Sequence, residues 1–162
     1  MTTTIGIDPG LDGAIACLVD GELLDVEDMP TFSEKRGKKT TRSVNPAEIA
    51  RILRIFVLAG GTPKPTVVVE RVHALPGNGG VSMFNFGDGY GCIRGVVATL
   101  GFRSEFVRPA QWKPAMGLTA DKGDSRRLAT QRWPQHAETF RRVKDDGRAE
   151  AALLAAWFEE GR

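Results

Sequence analysis

Apolar and polar positions fall in blocks along this chain, and the blocks predict its elements. Thr4-Ile5-Gly6-Ile7-Asp8 reads as a strand, with Ile5 and Ile7 on one face and Thr4, Gly6 and Asp8 on the other. Pro9-Gly10 ends it, because proline cannot donate to a ladder and glycine accepts a tight turn. The apolar run Ala14 to Val19 predicts a second strand, Asp20-Gly21 a hairpin turn, and Glu22 to Met29 a third strand. Residues 30–43 are polar and basic without periodicity and predict a long, flexible basic loop. A helix then follows, with Asn45 as its N-cap, Pro46 in the first turn and Glu48 at the capping-box position. Ile49, Ile52, Leu53, Phe56 and Val57 lie on one face of it, and Gly60-Gly61 stops it.

The next run, Pro65-Thr66-Val67-Val68-Val69-Glu70, has the unbroken valines of a strand buried on both faces. A loop over 71–80, with Pro76-Gly77-Asn78-Gly79-Gly80, leads to a helix from Val81 to about Leu100, on which Gly87, Gly91 and Gly95 line one face. That stripe predicts close approach, either within the chain or by a second copy of it. Phe102 to Arg108 is a fifth strand, and Pro109 to Lys113 opens a short helix. Asp124 or Ser125 caps another helix that stops at Pro134, and a last helix runs from near Asp145 to Glu160. A three-stranded antiparallel meander followed by alternating helices and strands implies an α/β fold. Its mixed five-stranded sheet carries helices on both faces, in one domain spanning 1–162.

Acidic residues interrupt this pattern at informative places. Asp8 and Glu70 each end a strand. On the last helix Asp146, Glu150, Leu153, Leu154 and Trp157 share one stripe, so its apolar half faces the sheet and its other half points two carboxylates the same way. Asp145 lies roughly 140° from Glu150 around the helix and is the runner-up to Asp146. The plainer readings are that Asp8 starts a turn and that the acids favour a helix N-terminus. Taken together, four carboxylates without His or Cys suit a hard cation, Mg²⁺ or Mn²⁺. Two such ions roughly 3.5–4 Å apart activate water and stabilise the leaving oxygen in phosphodiester cleavage.

Charge adds a partner to this picture. The net charge is only +2, but Lys35, Arg36, Lys38, Lys39 and Arg42 face a single Glu34, and basic residues from Lys122 to Arg148 enrich the last third. Such local basic regions are compatible with a DNA backbone. The two cysteines, Cys17 and Cys92, lack metal-ligand spacing, and no apolar run approaches ~18 residues, which points to a cytoplasmic protein without a membrane span.

At these motifs the chain resembles the RuvC family of Holliday junction resolvases, within the RNase H-like superfamily. Ile5-Gly6-Ile7-Asp8-Pro9-Gly10 looks like the family's opening strand, Val67-Val68-Val69-Glu70 like its second acidic strand, and Asp146 to Leu154 like its acidic C-terminal helix. Pro109 to Lys113 and the region of Lys122 resemble the basic stretch between them. The short, glycine-rich form is most similar to bacteriophage members, which would place the protein in a host cytoplasm. The resemblance implies a homodimeric endonuclease that uses two Mg²⁺ per site and nicks opposed strands of a four-way DNA junction. Asp8, Glu70, Asp146 and Glu150 would be metal ligands, with Lys113 and Lys122 beside the scissile phosphate. The last acidic pair is spaced by four here and by three in the bacterial enzymes, which bears on the choice between Asp145 and Asp146 and on substrate strictness. Phe84 and Phe86, with His73, are candidates to stack on unpaired bases or, more plainly, to pack in the core; the 34–42 segment is a candidate to hold DNA, and Trp112 to pack beside Lys113. The competing readings are another RNase H-like nuclease, acting on branched DNA generally or on RNA–DNA hybrid, and an actin-like ATP-binding fold. The latter is disfavoured by length and by Leu11-Asp12-Gly13, which lacks the Thr/Ser-rich turn of that fold.

Overall fold

The computed structural model describes residues 1–73, 77 and 79–161, apart from the side chain of Arg36. Pro76 and Asn78, in the predicted glycine-rich loop, lie outside the described residues. In chain order the strands are β1 (Thr3–Asp8), β2 (Ala14–Val19), β3 (Glu22–Asp28), β4 (Thr31–Arg36), β5 (Lys39–Val44), β6 (Thr66–Glu70) and β7 (Arg103–Val107). The helices are α1 (Pro46–Gly60), α2 (Gly80–Thr99), α3 (Pro109–Trp112), α4 (Lys122–Arg132) and α5 (Asp146–Glu159), with short 3₁₀ turns after α3 and before α5.

Five strands form one sheet in the order β3-β2-β1-β6-β7. β1 pairs antiparallel with β2 and parallel with β6, and β6 pairs parallel with β7, which gives the expected mixed sheet. The turn between β2 and β3 is built on Asp20 (φ 49°) and Gly21 (φ 82°). Two successive positive φ values match the twist of a tight hairpin.

Alternation along the strands divides the core in two. Ile5, Ile7, Ile15, Cys17, Val67 and Val69 pack under α1 and α2, with Ile49, Leu53, Phe56 and Ile93. Ala14, Ala16, Leu18 and Val68 face α5, beside Trp133, Phe140 and Leu153. On the second face Gly6, Ala14 and Ala16 are small, so α5 comes very close there. A Cβ on Gly6 would stand 2.0 Å from the Ala151 carbonyl oxygen, and one on Gly147 would stand 2.6 Å from the Asp12 carbonyl oxygen. Real Cβ atoms do not approach so closely, so glycine is what lets helix and strand meet.

The helices begin where their caps put them. Asn45 Oδ1 accepts from the Glu48 backbone N–H at 3.2 Å, and Gly61 closes α1 with φ 66°. α4 starts earlier than expected. Its N-cap is Asp121, which accepts from Gly123 N–H at 2.8 Å, rather than Asp124 or Ser125.

The largest departure lies at 30–43. The expected flexible loop is a regular antiparallel hairpin, β4 with β5, paired from Thr31↔Val44 to Arg36↔Lys39 around Gly37 (φ 62°). It carries polar residues on both faces and so shows no period-two signal. Backbone pairing and β-branched Thr31, Thr40, Thr41 and Val44 hold it instead. Arg42 anchors it to the turn after β1, donating to Asp12 Oδ1 at 2.8 Å and to the Leu11 carbonyl at 2.9 Å. Among the described residues no helix is long and apolar enough to cross a membrane.

Candidate active site

The site forms where the chain runs out of strand. Parallel register pairs Ile7 with Val69, so Asp8 and Glu70, one step further, stand side by side at the same sheet edge. Both follow the alternation of Gly6 and Val68 and therefore face α5. The close approach of α5 brings its first turns over that edge, and Glu150 arrives on the stripe predicted for it. On α5, Gly147 lies against Asp8: a Cβ there would stand 3.1 Å from Asp8 Oδ2.

Lys113 stands among these acids. Its Nζ lies 2.7 Å from Glu150 Oε2 and 3.6 Å from Glu70 Oε2. The preceding residue completes the arrangement. Trp112, fully buried, donates its indole N–H to Glu70 Oε2 at 2.9 Å, and Lys113 Nζ sits 5.4 Å from the centre of its ring. Adjacent residues at the end of α3 thus hold Glu70 and Glu150. The sequence reading expected packing from Trp112 and missed its hydrogen bond, because the donor role depends on a carboxylate 42 residues earlier in the chain.

The electrostatics follow from this crowding. Burial, then the negative charges of Glu150 and Glu70, push the Asp8 carboxyl up to about 7, against the weaker pull of the Gly10 N–H and Lys113. Burial also raises Glu70, partly offset by Lys113 and Trp112. Burial depresses Lys113, but its bond to Glu150 and the charges of Glu150, Glu70 and Asp8 leave it above the ordinary lysine value.

A cleft of about 490 Å³ opens over the site, lined among others by Asp8, Gly10, Lys113, Lys122, Asp146 and Glu150. Lys122, at the start of α4, thus lines the cleft that holds Asp8 and Glu150. Asp146 also faces the cleft, but its Oδ1 accepts from Arg126 Nε at 2.9 Å. Asp145 is engaged elsewhere. It is 1% exposed and accepts from the Arg142 backbone N–H at 2.7 Å and from its guanidinium at 2.8 Å. Burial raises its carboxyl, but the Arg142 bonds prevail and hold it below the usual range. Between the two aspartates, only Asp146 looks into the cleft over Asp8. Arg148, one turn into α5, ties that helix to β3 through Asp28 at 2.6 and 2.9 Å.

Oxygen donors without sulfur or imidazole, with a carboxyl displaced to about 7 by burial and then by neighbouring negative charge, fit a hard divalent cation. Among the described residues no three His, Cys, Asp or Glu side chains already close into a metal cage. Lys113 holds the intervening place.

The remaining candidates lie outside the acidic cluster. Lys35, Lys38 and Lys39 are exposed on the hairpin, where Arg36 also sits in β4, and Arg42 is bonded to the β1 turn. His73 is exposed beyond the end of β6, and Phe84 is 73% exposed on α2. On the same helix, nothing lies within 4 Å of a Cβ placed on Gly87, Gly91 or Gly95, so the stripe is open and packs against nothing among the described residues.

No family model matches the chain. It is similar to a chloroplastic Holliday junction resolvase of Chlamydomonas reinhardtii, MOC1, at 30% identity over 148 residues. That alignment takes in 82% of this chain, which spans about 17% of the length of that relative. Among solved structures, T. thermophilus RuvC in complex with a Holliday junction substrate superposes with a TM-score of 0.63, covering 99% of this chain and 97% of that one at 15% identity. A second Thermus thermophilus RuvC structure gives 0.54, with 96% and 92% covered, also at 15%. The chain has the fold of RuvC, an RNase H-like fold.

Proposed function

We propose that this chain is a divalent-cation-dependent endodeoxyribonuclease that resolves four-way DNA junctions by paired, symmetric nicks. The observation that carries this reading is the meeting of Asp8, Glu70 and Glu150 around Lys113 at one edge of a RuvC-like sheet. The junction substrates named for the algal relative and for the Thermus RuvC complex support the choice of DNA.

In this reading Asp8, Glu70 and Glu150 hold Mg²⁺ (or Mn²⁺), with Asp146 as the fourth ligand once it parts from Arg126. Two bound ions would supply an activated water and charge stabilisation for the leaving oxygen. The chain's own residues do the rest. Trp112 keeps Glu70 turned toward Asp8. Lys113 offers a cation at the depth of the cleft, able to pass from Glu150 to a non-bridging phosphate oxygen. Lys122 gives a second positive charge on the cleft wall. The exposed lysines of the hairpin, with His73 and Phe84, would form an outer DNA surface, and Arg42 fixes the hairpin's position over the β1 turn.

Paired nicks call for two copies of the chain about a two-fold axis. The open Gly87, Gly91 and Gly95 face of α2 supports a homodimer, since no contact within the described chain occupies it. The two named relatives are algal and bacterial, so they lend nothing to a bacteriophage origin. The chloroplastic relative likewise leaves a cytoplasmic location as an expectation from composition alone.

The test is a synthetic four-way junction, labelled on each strand in turn and incubated with protein and Mg²⁺. Nicks at symmetric positions in one opposed pair of strands are expected. Intact junctions alongside cleaved RNA–DNA hybrid would transfer the site to another RNase H-like nuclease. Equal cutting of forks, flaps and junctions would widen the substrate to branched DNA in general.

A further inference from the structure

Three arginine–aspartate pairs gather around the start of α5, and they are not alike. Arg142 grips Asp145 through both Nε and Nη2, at 3.0 and 2.8 Å, and Arg148 grips Asp28 the same way, at 2.6 and 2.9 Å. Those two carboxylates line a neighbouring cavity and are held in the fork geometry that makes a lasting ion pair. Arg126 holds Asp146 by Nε alone, at 2.9 Å. Of the three aspartates, only Asp146 lines the cleft over Asp8. Both side chains of this pair keep 23% of their surface exposed, so the bond is open to competition.

Glu150, one turn further along α5, has a different keeper. Lys113 Nζ sits 2.7 Å from it and 3.6 Å from Glu70. Asp8 has no bonded cation among the described residues and accepts only the Gly10 N–H, at 3.4 Å. The acids of the site are thus graded. Asp8 is free of a paired cation, Glu70 and Glu150 share one flexible ammonium, and Asp146 lies under a planar guanidinium. With all four ionised, the bonded cations Lys113 and Arg126 leave two negative charges unbalanced, which is the charge of one divalent ion. A second ion would turn the group net positive. The phosphate of a bound strand brings the negative charge that a second ion needs.

We infer that Arg126 sets the order in which the site takes its cations. It competes for Asp146, so the free protein holds one ion among Asp8, Glu70 and Glu150. A second ion displaces Arg126 from Asp146 only with a DNA phosphate in the cleft. Arg126 is a positioning residue in this account, since it acts through Asp146. This rests on the nuclease reading above and extends it, because it makes the second ion depend on the presence of DNA.

The experiment counts ions. Mn²⁺ is titrated at pH 8 into wild type, Arg126→Gln, Arg126→Lys and Asp146→Asn without DNA, and binding is read as loss of the free-ion paramagnetic resonance signal. Wild type is expected to bind one ion and then a second about tenfold more weakly, the scale on which partners of a metal ligand act. Arg126→Gln should tighten the second ion about tenfold and leave the first unchanged. Arg126→Lys, which keeps the charge, should keep the second ion weak. Asp146→Asn should lose the second ion and retain the first. If Arg126→Gln does not fold, Arg126→Met, which keeps the apolar stem, takes its place. The titration is then repeated on a pre-nicked four-way junction with a 5′-phosphate at each nick, which offers the phosphate with no bond left to cut. There wild type should gain the second ion about tenfold more tightly, and Arg126→Gln should gain less. Two equally tight ions in free wild type would overturn the inference. So would a second ion that is unchanged or weaker in Arg126→Gln, the mark of an arginine that orients Asp146 for the metal. A second ion that the pre-nicked junction fails to tighten in wild type would overturn it too. Junction cutting in Mg²⁺ judges the nuclease reading separately. Wild type that cuts while Arg126 has no effect on ion binding fails this inference alone, and the expected counts without cutting of any junction fail the nuclease reading alone.

Discussion

The two faces of the central sheet are built to opposite rules. Toward α1 and α2 the strands present Ile5, Ile7, Ile15, Val67 and Val69, and the helices answer with Ile49, Leu53 and Phe56. Toward α5 they present Gly6, Ala14 and Ala16, and the helix answers with Ala151, Ala152 and Ala155. Large side chains on the first face bury much apolar area and hold the helices off the sheet. Small ones on the second bury less per residue and let a helix backbone touch a strand. The proposed active site sits on the second face, because a carboxylate on a helix reaches one on a strand only when the two backbones nearly meet.

Neighbouring residues of β1 break this comparison most sharply. Gly6→Ala drives a methyl into the Ala151 carbonyl and moves α5, with Glu150, away from Asp8. Overpacking of this kind costs roughly 1–3 kcal/mol. A shift of about 1 Å at a reacting site costs on the order of 10²-fold in rate. Junction cutting per folded molecule, read beside a thermal melt, should therefore fall at least that far. Trp112→Phe keeps a buried ring and removes the N–H on Glu70. Loss of such a supporting donor costs about 10–100-fold, and the Mg²⁺ concentration for half-maximal cutting should rise. Trp133→Phe is its control, since Trp133 is as buried but donates to the Gly21 carbonyl at 3.2 Å, at the opposite end of the sheet. It should lower the melting temperature similarly and leave cutting unchanged. The smallest effect belongs to the first face. Ile5→Val should cost about 0.5–1.5 kcal/mol in chemical denaturation and change cutting per folded molecule by less than about twofold.

The parts legible in the sequence were those in which one local pattern had one physical cause. Val67-Val68-Val69 can only be a doubly covered strand, Asp8-Pro9-Gly10 can only end one, and a carboxylate on the Leu153/Trp157 stripe has to face the sheet. The hairpin at 31–44 escaped because its stability lies in backbone pairing and a glycine turn, which leave no mark on an exposed, polar sequence. The sequence ranked Asp146 above Asp145 by helix face, but the physical reason that separates them was not legible. It turns on Arg142 taking Asp145 as a cap partner, while the helix start leaves Asp146 in the cleft. Trp112 and Arg126 act through partners 42 and 20 residues away, a relation that only the folded chain displays. The glycines of α2 suggested close approach within the chain or by a second copy; within the chain nothing among the described residues occupies their face, while the tightest glycine approaches among the described residues belong to Gly6, Gly13 and Gly147.

Underlying these predictions is the claim that the edge over Asp8 is built to hold a cation. Asp8 titrates near 7 in the folded chain and near 3.8 when unfolded. Its contribution to stability is thus complete below about pH 4 and lost as pH rises through 7. Above pH 7 the metal-free protein carries an uncompensated buried charge that a divalent ion relieves, and binding to the folded state alone raises the melting temperature. The direct measurement is the thermal melt of wild type and Asp8→Asn, with and without Mg²⁺, at pH 5.5 and pH 8. The account predicts a Mg²⁺-dependent rise for wild type that is large at pH 8, small at pH 5.5 and absent from Asp8→Asn at either pH, with the variant the more stable protein in EDTA at pH 8. A rise of equal size at both pH values, or one that survives in Asp8→Asn, would contradict it.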